Sequence, residues 1–225
     1  MDQIKIDALR AQPVAPFSHL INGKHVPASD GGTMDLLSPI DGQVLTQVAR
    51  GTAADMEVAI ASARAAFEDR RWAGQSPAAR KQALMKWADL IEANALELAV
   101  LGVRDNGTEI GMAIKAEPRP AASTIRYYAE ALDKIYGEIA PTSSDILGMI
   151  HKEPVGVVGA IIPWNFPMMI GAWKLGPALA MGNSVVLKPS ETASLSLMRM
   201  CDLALDAGLP AGVLNAVTGE GAVVG

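Results

Sequence analysis

Two short polar corners carry the side chains of this sequence that are best suited to chemistry. Trp164-Asn165 follow an apolar, β-branched run, and Lys188 to Glu191 follow a second such run. A carboxamide such as that of Asn165 can donate hydrogen bonds to an oxygen that gains negative charge during a reaction. A carboxylate beside an ammonium group, as in Glu191 and Lys188, can bind the hydroxyls of a ribose. The sequence thus offers one candidate catalytic group and one candidate nucleotide-binding pair.

Each corner also has a purely structural interpretation. Asparagine is a preferred helix cap, and Asn165 stands just before a helix that Pro167 could begin. Lys188 and Glu191 could form an ordinary surface ion pair, which contributes about 0–1 kcal/mol. Spacing alone favours the cap and the surface pair.

The elements that must position these corners form a strand–helix–strand–helix–strand series. We predict strands at Val155–Ile162, Ser184–Leu187 and Val213–Val217, the first of them buried on both faces. We predict helices from Pro167 to about Met181, which ends at Gly182-Asn183, and from about Thr192 to Ala207. Parallel strands joined by helices bind ligands at their carboxyl ends, and both polar corners fall at such ends.

Several long motifs of mixed composition now point to a known family. They are IIPWNFP (161–167), WKLGPALAMGNSVVLKPSE (173–191) and AGLPAGVLNAVTGEG (207–221), preceded by YYAEALDKIYGEIAPTSS (127–144) and HKEPVGV (151–157). In order and spacing they resemble the aldehyde dehydrogenase superfamily, over nearly the whole chain from Leu20 to Gly225. The longer run most resembles the branch that oxidises γ-glutamyl-γ-aminobutyraldehyde and related amino-aldehydes.

The resemblance implies an α/β fold, specifically the N-terminal part of the aldehyde dehydrogenase fold. We expect helices plus half of a parallel dinucleotide-binding sheet, with a projecting β-ribbon. Residues 1–137 would form the N-terminal strands and helices, 138–154 the ribbon, and 155–225 the first half (β-α-β-α-β) of the sheet. The ribbon, predicted as strands Glu138–Ser143 and Leu147–Glu153 around a turn at Ser144-Asp145, would pair with another subunit, giving a homo-oligomer (dimer or tetramer).

The resemblance also assigns roles to the polar corners. Asn165 matches the oxyanion-stabilising asparagine, and Lys188 with Glu191 match the ribose-binding pair. Because Glu191 would repel a 2′-phosphate, NAD is favoured over NADP. The implied cofactor-binding residues are Ile161, Ile162, Pro163, Trp164, Asn165, Lys188, Ser190, Glu191, Gly221 and Gly225. The glycines of Gly219-Glu220-Gly221 alone indicate only a loop, and no GxGxxG follows Ile162, as in the family it resembles.

One part of the family's chemistry does not occur in these residues. The nucleophilic cysteine and the general-base glutamate would lie beyond Gly225, where this sequence stops. The single cysteine, Cys201, falls on the apolar face of a predicted helix and is expected to be a packed, unreactive thiol. We therefore expect NAD-dependent oxidation of an aldehyde to its acid from the family, but no turnover by this chain alone. The alternative is a non-catalytic nucleotide-binding or assembly fragment.

Composition excludes several other functions. The net charge of −5 and the lack of a basic stripe argue against a nucleic-acid partner. No apolar run reaches the ~20 residues of a membrane span, and the first thirty residues show no secretory signal, so a cytoplasmic location is expected. One cysteine allows no internal disulfide or cysteine-based metal site, and we expect no metal. His19, His25 and His151 are scattered and receive no role.

The first half of the chain shows clear local signals. Residues 1–17 read as a loose arm or a short helix. Hairpins are expected at Leu20–Val26, turning at Asn22-Gly23, and at Met34–Val48, turning at Asp41-Gly42; they would form an edge ribbon. Helices are expected after Thr52 (a capping box with Asp55), from Ser76-Pro77, from Asn94 with Glu97, and from Pro118 to Gly137. With half a sheet, the strand at Val155–Ile162 would keep one unpaired apolar edge.

Overall fold

A computed structural model describes residues 3–225 of the chain. The helices are α1 Gln3–Ala11, α2 Ala53–Glu68, α3 Pro77–Ala93, α4 Ala95–Asn106, α5 Ile110–Ala116, α6 Pro118–Ala131, α7 Pro167–Ala180, α8 Leu195–Ala207 and α9 Gly221–Val224. The strands are β1 His19–Ile21, β2 Lys24–Val26, β3 Thr33–Leu37, β4 Val44–Ala49, β5 Glu138–Ala140, β6 Gly148–Ile150, β7 Val157–Ile161, β8 Ser184–Lys188 and β9 Leu214–Ala216. Of the predicted N-terminal arm, Met1 and Asp2 lie outside the described residues.

The main sheet has five strands in the order β2-β1-β9-β8-β7. Strands β7, β8 and β9 are parallel and are connected by α7 and α8, which confirms the predicted series. Strand β1 pairs antiparallel with β9 through Leu20 and Ala216, and β2 pairs with β1. The first predicted hairpin is therefore not a separate ribbon, because it extends the central sheet.

The prediction that the first strand of the series is buried on both faces is wrong. Strand β8 is buried at all five positions, whereas Ala160 is the one buried residue within β7, and Ile161 is 65% exposed. The reason is position in the sheet: β7 pairs with β8 alone among residues 3–225, so it is an edge strand. Ala160 points into the main core, and Ile161 points away from it.

Helices α3 to α6 form one layer that packs against the crossover helices α7 and α8. Indole N–H groups join this layer to the crossover helices: Trp72 donates to Leu179 O at 2.8 Å and Trp87 donates to Met200 O at 2.9 Å. Both tryptophans are fully buried in the main hydrophobic core. Helix α2 covers the opposite face of the sheet, where a smaller apolar cluster forms.

Local signals placed most of these helices correctly. The capping box of Thr52 and Asp55 is present, Ser76 caps α3, and Gly107 ends α4 in the left-handed conformation. The proposed Asn94 cap is wrong, because the Asn94 amide donates back to Leu90 O and makes no side-chain cap. Helix α5 was not predicted, and α6 ends at Ala131, followed by a 3-10 turn at Leu132–Lys134, before the expected Gly137.

Both predicted turns with glycine are confirmed. Asn22 and Gly23 have φ values of 51° and 71°, as a two-residue hairpin turn requires, and Gly42 has a φ of 71°. The ribbon of residues 138–154 pairs over three residues on each strand, β5 and β6, with a turn at Ser144-Asp145. Its large apolar side chains are exposed: Ile139, Ile146, Leu147, Met149 and Ile150.

Candidate functional site

The two polar corners lie at the same edge of the sheet. In the parallel register of β7 and β8, Ile161 is opposite Lys188, and the N–H of Ile162 donates to Lys188 O at 2.9 Å. The chain therefore enters both corners from neighbouring strand ends. This arrangement follows from the parallel pairing, which brings the carboxyl ends of successive strands together.

The ion pair of the second corner is partly buried. Lys188 Nζ lies 2.6 Å from Glu191 Oε2, and the two side chains are 5% and 41% exposed. The hydrogen bond from Lys188 is the main cause that lowers the pKa of Glu191, and a backbone hydrogen bond from Gly221 adds to it. A buried ammonium with one charged partner is unlike a mobile surface pair, and Glu191 still presents an exposed carboxylate edge.

The glycine segment after β9 approaches this pair closely. A β-carbon on Gly221 would lie 3.8 Å from Lys188 Nζ and 3.9 Å from Glu191 Oε1. A cavity of about 390 Å³ opens beside it, between α2 and the exposed side of β7. Its lining includes Ile161, Lys188, Val224 and Gly225. Lys188, Gly225 and the end of β7 thus line one concave surface, and Glu191 and Gly221 lie next to Lys188.

The carboxamide of Asn165, at the first corner, makes no hydrogen bond to the described residues. Phe166, not Asn165, is the residue before α7, and it makes no side-chain cap. The Asn165 side chain is exposed, and within residues 3–225 its carboxamide has no hydrogen bond. The interpretation of Asn165 as a helix cap is therefore wrong, and its donors are available to a ligand.

The cap of α7 comes from a residue that the sequence did not single out. Glu117 Oε2 accepts the N–H groups of Met168 and Met169, each at 3.0 Å. Glu117 is 3% exposed, and burial raises its pKa to about 7 against the lowering effect of those two hydrogen bonds. No local pattern could have found it, because its partners lie 51 and 52 residues further along the chain.

A second buried acid holds the corner that contains Glu191. Asp105 Oδ2 accepts the N–H of Leu195, the first residue of α8, at 2.7 Å. Asp105 is 3% exposed, and burial raises its pKa to about 8, with a smaller contribution from the charge of Glu117. Both crossover helices therefore begin against carboxylates that the preceding helical layer supplies.

The remaining predicted residues differ in what they can offer. The side chains of Pro163 and Trp164 are exposed at the first corner, whereas that of Ile162 is buried in the core and leaves only its backbone there. Ser190 is engaged locally, with its hydroxyl 3.0 Å from Thr192 Oγ1. Gly221 and Gly225 bound a short helix, α9, in place of the expected loop.

The histidines have partners that sequence spacing did not reveal. His19 is buried, its Nδ1 accepts the N–H of Thr218 at 3.2 Å, and its Nε2 lies 3.7 Å from Asp55 Oδ2. Burial lowers the pKa of His19, so the ring is held neutral below the glycine segment. His25 lies 3.0 Å from Asp202. These contacts are structural rather than an array of ligands.

Other candidate centres are absent from the described part of the chain. It contains no group of three or more His, Cys, Asp or Glu side chains that could hold a metal ion, and no helix long and apolar enough to cross a membrane. Cys201 is buried in α8, which confirms the predicted packed cysteine, and burial raises the pKa of its thiol. A cavity of about 760 Å³ at the base of the ribbon is lined by none of the predicted site residues.

The parallel βαβαβ unit, with both polar corners at the carboxyl edge of its strands, defines this chain as an α/β protein with a mainly parallel sheet. Residues 25–225 match the sequence profile of the aldehyde dehydrogenase family, and the chain belongs to that family. It is similar to the NADP/NAD-dependent aldehyde dehydrogenase PuuC of Escherichia coli, with 51% identity over 201 residues, and to the aminoacetaldehyde dehydrogenase of Pseudomonas aeruginosa, with 45% identity over 218 residues.

Solved structures agree with this assignment. The γ-glutamyl-γ-aminobutyraldehyde dehydrogenase of Burkholderia cenocepacia superposes with a TM-score of 0.95 at 44% identity over 98% of this chain. Indole-3-acetaldehyde dehydrogenase of P. syringae, solved with NAD+, superposes with a TM-score of 0.96 at 43% identity over 100% of this chain. The chain spans less than half the length of the curated relatives it matches. The alignment with the E. coli protein covers 89% of this chain and 41% of that protein, and the alignment with the P. aeruginosa protein covers 97% and 44%.

Proposed function

We propose that this chain supplies the adenosine-binding part and the oxyanion-stabilising group of an NAD-dependent aldehyde dehydrogenase that acts on amino-aldehydes. The observation that carries the proposal is the shared edge of the sheet: the Lys188–Glu191 pair, with Gly221 beside it, and the exposed carboxamide of Asn165 follow the carboxyl ends of neighbouring strands. The amino-aldehyde class is supported by the two relatives named for γ-glutamyl-γ-aminobutyraldehyde and aminoacetaldehyde.

The residues present fit a dinucleotide. Glu191 offers two carboxylate oxygens and Lys188 offers an ammonium, a set that matches the vicinal hydroxyls of a ribose. Gly221 leaves open the space beside them that a β-carbon would fill. The cavity of about 390 Å³ has apolar walls on β7 and α2, which suit a flat base. When bound, NAD accepts a hydride from the substrate.

Asn165 would act where charge develops. As the aldehyde carbon is attacked, its oxygen gains negative charge, and the Nδ2 hydrogens of Asn165 can donate to it. The carboxamide needs no other bond to break first, because it has no partner in the described residues. Cys201 cannot be the attacking thiol, since it is buried and its thiol pKa is raised. We therefore propose that the 225-residue chain alone binds nucleotide but does not turn over an aldehyde.

Cofactor binding can be tested on the chain as it is. NAD, NADP and ADP-ribose are titrated by calorimetry into the wild type, into Glu191→Gln and into a matched control, Glu220→Gln. Glu220 is an exposed glutamate that stands two residues after Thr218. Losing a hydrogen bond to a charged group costs about 1.5–3 kcal/mol, so Glu191→Gln should weaken ADP-ribose binding about 10- to 100-fold. The control should bind like the wild type.

Discrimination between NAD and NADP is part of the same experiment. Removing the carboxylate charge should lessen the penalty for a 2′-phosphate, so Glu191→Gln should bind NADP relatively better. The E. coli relative, named as NADP/NAD-dependent, indicates that the preference need not be absolute. Unchanged ADP-ribose affinity in Glu191→Gln would remove the pair from the ribose role.

The catalytic assignment needs a protein that also carries a nucleophile. In a catalytically complete protein that includes this chain, Asn165→Ser should lower kcat about 10²- to 10³-fold with unchanged stability. Stability should not change because Asn165 is not the cap of α7. A wild-type rate for this variant would remove Asn165 from the oxyanion role. No aldehyde oxidation by the complete protein would instead favour the alternative, a nucleotide-binding or assembly protein without chemistry.

Homo-oligomer formation and a cytoplasmic location belong to the same proposal. The ribbon of β5 and β6 exposes a row of large apolar side chains that resembles an unpaired interface. Subunits that pair through this ribbon would bury them. Sedimentation of the wild type against Met149→Lys tests this: the substitution should shift the population towards the monomer.

A further inference from the structure

Every backbone N–H group in the first turn of helix α7 has a hydrogen-bond acceptor. Pro167, its first residue, has no N–H, and Ile170 already donates to Phe166 O at 3.0 Å within the helix. The two donors between them, Met168 and Met169, both bond to Glu117 Oε2 at 3.0 Å. The first turn of α7 is thus fixed by a single carboxylate from outside the helix.

The base from which Glu117 reaches is rigid. Its N–H donates to Ala113 O at the end of α5, and its carbonyl accepts the N–H of Ala121 in α6, both at 3.1 Å. The buried ring of Pro118 follows it directly. The other carboxylate oxygen, Oε1, has no hydrogen-bond partner in the described residues, so the hydrogen bonds of the carboxylate are all directed at α7.

The corner that bears Asn165 is held from both sides. On the strand side, the N–H of Ile162 is bonded to β8, and on the helix side, Met168 is bonded to Glu117. Only five residues lie between these two anchors, and two of them, Pro163 and Pro167, have restricted backbones. A donor for a developing oxyanion is effective only when its backbone cannot rearrange as charge forms.

We propose that Glu117 is a positioning residue that fixes the corner from Pro163 to Pro167 and so presents the carboxamide of Asn165. The inference rests on the proposed role of Asn165 for its catalytic meaning, but its structural part can be tested alone. The charge of Glu117 contributes to the raised pKa of a second buried acid, Asp105, which caps α8 and so provides a matched control.

The first test uses the ¹⁵N-labelled 225-residue chain and amide hydrogen exchange. Glu117→Ala should speed exchange at Met168 and Met169 about 10- to 100-fold, the effect of losing a hydrogen bond to a charged group, and should shift the Asn165 side-chain resonances. Glu117→Gln should restore both, because its amide oxygen can accept the same N–H groups. Asp105→Asn should leave Met168 and Met169 unchanged. Uniform acceleration along the whole chain, or no local change, overturns the proposal.

The second test separates positioning from the proposed function. In a catalytically complete protein that includes this chain, kcat is compared for Glu117→Ala, Asn165→Ser and the double variant. If Glu117 acts through Asn165, the double variant loses no more than Asn165→Ser alone, and KM for the cofactor changes little. Losses that multiply overturn the positioning role. No loss in Asn165→Ser defeats the proposed function instead, whatever hydrogen exchange shows at α7.

Discussion

Asp105 gives a prediction whose sign is opposite to that of a typical salt-bridged acid. It is 3% exposed, and burial raises its pKa from an ordinary 3.8 to about 8. Between about pH 5 and pH 7 the unfolded chain is ionised at this residue while the folded chain keeps the proton. The folded state then binds one proton more than the unfolded state, so raising the pH lowers stability.

The size of the change in unfolding free energy follows from the single proton that Asp105 binds in the folded state. One pKa unit corresponds to about 1.4 kcal/mol, so over two pH units Asp105 should remove about 3 kcal/mol of unfolding free energy. Asp105→Asn keeps an oxygen that can accept the N–H of Leu195 but cannot titrate. The variant should therefore match the wild type most closely near pH 5 and exceed its stability increasingly as the pH rises towards 8.

The assay is urea unfolding followed by circular dichroism at pH 5, 6 and 7 and at constant ionic strength. Glu117 also titrates in this range, but it is present in both proteins, so the difference between their slopes isolates Asp105 to first order. Asp206→Asn, on the exposed face of α8, is the control and should run parallel to the wild type. If Asp105→Asn also runs parallel to the wild type, the buried acid does not hold its proton and the reasoning fails.

Three further outcomes follow from packing. A β-carbon on Gly51 would collide with Thr218 O, so Gly51→Ala should cost about 1–3 kcal/mol and weaken nucleotide binding, as thermal melts and titration can show. Trp87→Phe removes the buried indole N–H bond to Met200 O and leaves part of a packed volume empty, so it should cost about 2 kcal/mol or more. Trp173→Phe, at a half-exposed site, should cost much less, and equal costs in urea would contradict this. The outer edge of β7 pairs with no strand in residues 3–225, so the folded chain should bind hydrophobic dye strongly, and a dye signal no greater than that of an ordinary globular control protein would refute this.

The corners and turns were predictable because their causes are local. Pro163 ends a strand in any surroundings because proline has no N–H to donate to a neighbouring strand. An Asn-Gly pair favours a two-residue hairpin turn through its own backbone preferences. The capping box of Thr52 and Asp55 likewise depends on residues three apart. The family motifs then added the order of the elements, and the structure agrees with them from β7 to β9.

The errors arose where the cause lies far away in the sequence. The unpaired edge of β7 was predicted, but the burial of both its faces was misjudged. Burial depends on which elements pack over each face, and neither composition nor period reports that. The helix caps show the same limit. Asn165 had the right residue type and place for a cap, yet Glu117 took that role from 51 residues away, and Asp105 caps α8 from 90 residues away.

The caps from Glu117 and Asp105 give the helices of the first half a role in positioning the candidate site. Glu117 fixes the corner with Asn165, and Asp105 fixes the start of the helix that follows Glu191, so each half of the candidate site is anchored to the helical layer. The residues directly before α7 and α8 make no side-chain cap, so the helices of the first half help to fix the geometry of the site as well as covering the core. Removing either carboxyl group should therefore disturb the start of the helix that it caps and the corner next to that start.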